Sequence, residues 1–238
     1  MKIKAKSLPW LAASGIFSVV LMNFFYFNAV TLMDMSISSI LLYTSPIFVM
    51  LMSALFFRER ITGKKVLALI LAFCGCCLVS GIGGGGVINT KGVIFGIASG
   101  FVYALYSIFS RISLKQGVSS VAVSTYTFIF AAAGGILLSD VGNILRVISE
   151  HGPWAIAFMA LYALVATVFP YLFYTIGLSY VENGVAAVIV AIEPVVATLI
   201  GAFVYREIPS LTAILGIVLV LSAIILLNIN RTGEHENT

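Results

Sequence analysis

Residues 36–62 read SISSILLYTSPIFVMLMSALFFRERIT, and residues 184–210 read GVAAVIVAIEPVVATLIGAFVYREIPS. Each is an apolar run of bilayer-crossing length with one proline inside it and an Arg-Glu pair near its end. A shift of 148 positions superposes Pro46 on Pro194 and Arg58-Glu59 on Arg206-Glu207. The same shift carries Phe25-Tyr26 onto Phe173-Tyr174, and Leu51, Ala54, Leu67, Leu71 and Leu78 also meet identical partners. Leu and Ala match by accident among apolar helices. A proline and an Arg-Glu pair held in one register do so less readily, and the chain reads as an ancient duplication.

Outward from these two stretches the composition keeps the same character. Of 238 residues, 61% are hydrophobic and only 9% charged, with a mean hydropathy of +1.13. Soluble domains carry about 25% charged residues, so this chain could not cover its own core in water. It reads as an all-α polytopic membrane protein. A helical crossing takes ~20 mostly apolar residues, and eight runs qualify: 9–31, 36–57, 65–83, 92–112, 119–139, 153–175, 184–205 and 211–229. Apolarity on all faces, without alternation, excludes an outer-membrane barrel. Basic residues around Thr62-Gly63, the run Gly83 to Gly86, and Pro153 and Pro209 at helix starts punctuate the spans.

Orientation follows from the basic residues. With eight spans, one face holds Lys2, Lys4, Lys6, Arg58, Arg60, Lys64, Lys65, Arg111, Lys115 and Arg231. The other holds Lys91, Arg146 and Arg206. Lys and Arg favour the cytoplasmic side, which predicts both termini in the cytoplasm and a cytoplasmic-membrane location. Pro46 falls in the second span and Pro194 in the seventh, so the repeat period is five helices. An odd period turns the second copy upside down. Inverted repeats about a midplane site are a signature of secondary transporters.

Other function classes fare poorly. Thirteen basic residues scattered between apolar runs give no stripe for nucleic acid. Cys74, Cys76 and Cys77 lack zinc spacing and are odd in number, which leaves them as small packing residues. Lys2, Lys4 and Lys6 precede an apolar run too long for a signal peptide. Gly81-Ile82-Gly83-Gly84-Gly85-Gly86 matches a dinucleotide fingerprint, yet no acid follows it until Asp140, so it reads as a linker. His151 is expected in a loop and His235 in the tail. With no His or Asp inside a span, neither a catalytic pair nor a metal site assembles there, and no cofactor is expected. Gly92, Gly96 and Gly100 share one helix face and suit close helix packing, within the chain or at a dimer seam.

The candidate site rests on polar groups near the prolines. Glu193 is the one ionisable group deep in a span, about ten residues from either end. A charge there costs at least ~2.5 kcal/mol by insertion scales and usually faces a cavity or a partner. It could carry a coupling proton, pair with a substrate ammonium, or serve as a neutral hydrogen-bonded acid. Ser45 is its counterpart in the other copy. Asn23 and Tyr26 share one helix face, as do Tyr171 and Tyr174; Tyr103 shares another with Ser107. Each of these lines a cavity or makes an ordinary interhelical hydrogen bond. Pro46, Pro170 and Pro194 are candidate hinges, since each removes a backbone hydrogen bond. Arg58-Glu59 and Arg206-Glu207 read as solvated caps rather than gates.

At these residues the chain resembles a family. Ser36 to Thr62, with Pro46 mid-helix and Glu59-Arg60-Ile61-Thr62 at its end, is similar to the fourth helix of EamA-type proteins of the drug/metabolite transporter superfamily. Ala186-Ala187, Glu193-Pro194, Gly201 and Arg206-Glu207 resemble the ninth, and Ala104-Leu105-Tyr106 with Arg111 the sixth. The resemblance implies two inverted five-helix halves and, in many members, export of small metabolites. Against that pattern this chain reads as an incomplete 3+5 bundle: residues 1–83 as a three-helix partial repeat, 84–91 as a glycine-rich linker, 92–229 as a five-helix repeat and 230–238 as a polar tail. The expected activity is alternating-access transport of a small organic metabolite across the bilayer. A structural or regulatory subunit, or half of a two-chain transporter, is the alternative; a homodimer or companion chain and proton coupling stay open.

Overall fold

The computed structural model describes residues 5–81, 88–206 and 208–228, which are helical without a strand. In chain order the helices are α1 (Ala5–Leu32), α2 (Met35–Leu42), α3 (Ser45–Phe57), α4 (Gly63–Val79), α5 (Thr90–Lys115), α6 (Ser120–Ile136), α7 (Val141–His151), α8 (Pro153–Leu178), α9 (Asn183–Val190), α10 (Glu193–Val204) and α11 (Leu211–Asn228). Ala5–Leu32, Met35–Phe57, Thr90–Lys115, Pro153–Leu178 and Asn183–Val204 are each long and apolar enough to cross a bilayer. The protein is an all-α polytopic membrane protein. The Gly83 to Gly86 joint, Glu207, Lys2, Lys4 and the tail 230–238 lie outside the described residues.

Local chemistry sets the helix ends. Thr62, Ser119 and Asp140 side chains accept from Lys65 N at 3.3 Å, Ala122 N at 3.3 Å and Asn143 N at 2.9 Å, covering first-turn donors that a helix leaves bare. Gly117 and Gly152 turn the chain at φ +86° and +65°, where a Cβ would strain the backbone. His151, expected in a loop, instead ends α7. That helix bends 100° away from α6. Its residues Val141, Ile144, Leu145 and Ile148 share a face, the pattern of a helix lying in the membrane interface.

The two quoted stretches recur in three dimensions. A proline clashes with the carbonyl four residues earlier. For Pro46 that residue is Leu42, the last of α2; for Pro194 it is Val190, the last of α9. Each span therefore breaks before its proline, at Tyr43-Thr44 and at Ala191-Ile192, and the proline occupies the first turn of the next helix, where its missing N–H costs nothing. Carbonyls at the breaks also receive side-chain donors: Thr44 Oγ1 reaches Leu41 O at 2.6 Å, and Cys76 Sγ reaches Ala191 O at 3.7 Å. Arg58 and Arg206 both follow with left-handed φ of 57° and 58°. Even the π-helical turns agree, since Leu164–Val168 matches the last five residues of Ser14–Val20 under the same shift.

The residues pack into two compact units. One comprises the chain up to Leu21 with Leu105–Val181. In it Leu11 buries against Val118, Ala122 and Val123, while Val19, Tyr106 and Ala131 form a second cluster. Ser7 Oγ donates to Gln116 Oε1 at 2.6 Å and Thr127 Oγ1 to Ser14 Oγ at 3.2 Å, which satisfies hydroxyls in an apolar setting. The other comprises Met22–Ala104 with the chain from Glu182. There α4 and α11 cross so closely that a Cβ on Gly75 would lie 2.7 Å from Gly216 O. Ala68, Ala72, Cys76, Val188, Val195, Val220 and Ala223 fill the surrounding core. Gly92, Gly96 and Gly100 sit directly against Met33, Leu41 and Thr44, so this small-residue face is taken up within the unit.

Candidate functional site

The helix breaks of the second unit shape a cavity of about 490 Å³. Met35, Ser36, Ser39 and Tyr43 line it from α2 and its break, and Pro194, Ala197 and Thr198 from α10. Val79 and Ser80 at the end of α4, with Ile208, Pro209 and Ala213, complete the wall. The two-residue breaks at Tyr43-Thr44 and Ala191-Ile192 interrupt the regular α-helical hydrogen bonding of these two spans beside the cavity.

Polar groups gather around this space. Tyr26 Oη lies 3.0 Å from Oγ of the lining Ser39, so a phenol from α1 hydrogen-bonds a hydroxyl of the cavity wall. Thr198 Oγ1 donates to Pro194 O at 2.8 Å, which fixes its rotamer on the cavity face of α10. Glu193 opens α10 directly before the lining residue Pro194 and one helical turn before Ala197. It interacts electrostatically with Tyr43 and Cys76. Its side chain is exposed to open space and makes no hydrogen bond or ion pair with any described residue. An acid so placed is available to a ligand or a proton.

The other expected residues fall into two groups. Ser45 is buried at the start of α3, while Asn23 and Tyr103 are half-buried and engaged with neighbours. All three belong to the unit that holds the cavity. Tyr171 and Tyr174 belong to the other unit. There they pack on Tyr106, which is 2% exposed and has its ring centroid 4.7 Å from that of Tyr171. Tyr106 Oη lies 2.6 Å from Thr175 Oγ1, which donates to Tyr171 O at 2.8 Å. Pro170 follows the π-helical turn Leu164–Val168 of α8, where the helix continues unbroken. Tyr43, Ser39, Ser36, Ser80 and Thr198 lie outside the residues that the sequence alone singles out.

At the start of α4, away from the cavity at its other end, Arg58 is exposed as a solvated cap would be, but Glu59 is half-buried and engaged. Glu59 Oε1 accepts from Asn183 N at 3.1 Å and Oε2 from Gly184 N at 3.4 Å, the first donors of α9. Lys65 pairs with Glu182 alongside. In the other unit Arg111 donates to the carbonyls of Leu178 and Val181 at the end of α8. A cation there suits the negative end of the helix.

Comparison with known proteins adds one consistent result. The model of the EamA-like transporter family matches residues 1–81 and 90–229. An uncharacterized transporter of Archaeoglobus fulgidus is 28% identical over 212 residues, covering 84% of this chain and 70% of that protein. A second from the same organism is 29% identical over 231 residues, covering 94% and 78%. A solved crystal structure shares the fold, with a TM-score of 0.75 at 18% identity over 98% of this chain and 81% of that one.

Proposed function

The chain belongs to the EamA-like transporter family, and from that premise we propose that it moves a small organic metabolite across the cytoplasmic membrane by alternating access. The observation that carries the site is Glu193, an exposed, unpaired acid inside a span and beside a cavity lined with hydroxyls. The breaks at Tyr43-Thr44 and Ala191-Ile192 are the hinges of the proposal, because each proline removes one backbone hydrogen bond and the residue two before it keeps only a tighter i→i−3 bond, Thr44 N to Leu41 O and Ile192 N to Ile189 O at 3.1 Å each. Export, both termini in the cytoplasm and an inverted relation of residues 1–83 and 92–229 are its finer parts. Support comes from the five-helix period and from the family model's match in two segments.

Proton coupling through Glu193 completes the reading, with Tyr43 and Cys76 the titratable groups that face it. The test is flux in proteoliposomes loaded with a pH-sensitive dye, using small metabolites from a cell extract as substrate pool. Glu193→Gln keeps shape and hydrogen bonding but cannot titrate. Its flux is expected to fall at least ~10-fold and its pH dependence to vanish, as for loss of a proton-carrying group. A folded variant with unchanged rate and pH profile would make Glu193 structural.

A further inference from the structure

We propose that the molecule held in this cavity is a protonated organic amine, its ammonium on the Glu193 carboxylate and its body against Tyr43. The inference rests on the reading of the cavity as the transport site and names the substrate class. The walls offer hydroxyls from Ser36, Ser39, Tyr43, Ser80 and Thr198 and no charged side chain of either sign, and Glu193 stands immediately before the lining Pro194 and one turn before the lining Ala197. Two lining residues, Met35 and Ile208, follow acids in the sequence, Asp34 and Glu207, with Arg206 one residue further back, so the charged residues next to the lining positions bring no excess of positive charge. That leaves Glu193 as the group that decides which charge the interior accepts.

The three possible substrate charges are not equivalent here. An anion entering this space would face the Glu193 carboxylate with no cation in the wall to receive it, a strongly unfavourable arrangement away from water. A neutral molecule would satisfy the hydroxyls and leave the acid unused. An ammonium pairs with the carboxylate through charge-assisted hydrogen bonds. The phenol of Tyr43 adds an aromatic surface of the kind that attracts cations. The volume falls within the range of small-molecule sites and accommodates one ring with a short side chain.

Three probes with one body separate the cases: tyramine carries an ammonium, tyrosol a hydroxyl and 4-hydroxyphenylacetate a carboxylate. Uptake of each is measured in proteoliposomes holding the full chain. Tyramine is expected to enter at least ~10-fold faster than either analogue. Glu193→Gln should erase that preference and Glu193→Asp should keep it. Ala197→Phe, which fills the cavity, should stop tyramine uptake. Equal or faster movement of the alcohol or the acid, or no movement of any probe, overturns the amine. Undiminished flux through Ala197→Phe instead overturns the cavity as the transport site. Should Glu193→Gln fail to fold by size-exclusion chromatography, the order of the three probes in the native chain and in Glu193→Asp decides.

Discussion

Glu59 shows how one side chain can hold a helix end inside a membrane protein. Both carboxylate oxygens accept backbone N–H groups of α9, at Asn183 and Gly184. Those donors would otherwise lack partners in an apolar setting. Replacing Glu59 with Ala is expected to destabilise the protein by about 1–2 kcal/mol, the range for a lost cap with charge complementarity. The midpoint of denaturant unfolding in detergent measures it. Lys65→Ala, which removes an ion pair whose Glu182 partner is exposed, should cost under ~1 kcal/mol. An equal loss for the two would show that Glu59 acts only through charge. None of this was legible beforehand, because Arg58-Glu59 looks identical in sequence whether solvated or capping a helix 124 residues away. Glu193 was legible for the opposite reason. A lone acid in an apolar run needs no knowledge of packing to be singled out, whereas Tyr43 and Ser39 gained their place only once the helix around them broke.

At the level of elements, prolines and glycines have done different work. Pro46 and Pro194 announced disturbed helices, and sterics then fix where each break falls, at the turn before the ring. The sequence alone left open whether a kink or a full interruption would result. In the fold, Thr44 and Cys76 place side-chain donors on the carbonyls of Leu41 and Ala191 at the two interruptions. Gly75 and Gly216 gave no warning at all, since isolated glycines in apolar runs are common. Yet they are where α4 and α11 meet backbone to backbone, with each imagined Cβ under 3 Å from the other's carbonyl oxygen. Gly75→Ala must therefore push the helices apart. It is expected to cost ~1–3 kcal/mol, the usual penalty of overpacking. Gly135 in α6 has nothing within 4 Å of such a Cβ, and Gly135→Ala should be neutral or slightly stabilising. Detergent melting of the two variants compares them directly. Equal melting points would mean that the α4–α11 crossing yields without cost.

For the whole molecule the open question is how often the chain crosses, and α4 decides it. Its 17 residues span ~26 Å, slightly less than a hydrocarbon core of ~30 Å. If α4 crosses, Lys64 and the residues after Val79 lie on opposite sides. Ten basic residues then share one face and three the other, as Lys and Arg bias requires. If it does not, the segment around Ile88 joins Lys64, and the five-helix period between Pro46 and Pro194 becomes even. The second repeat would then run the same way up as the first. The recurrence of breaks, π-turns and left-handed arginines is indifferent to this choice, since local geometry repeats equally well in parallel or inverted copies. Lys64 and Ile88 are both exposed and flank the helix in question. On a background with Cys74, Cys76 and Cys77 replaced by Ala, a membrane-impermeant maleimide added outside intact cells should label Ile88→Cys and spare Lys64→Cys. In inverted vesicles the pattern should reverse. Labelling of both from one side would remove the crossing by α4 and with it the inverted architecture.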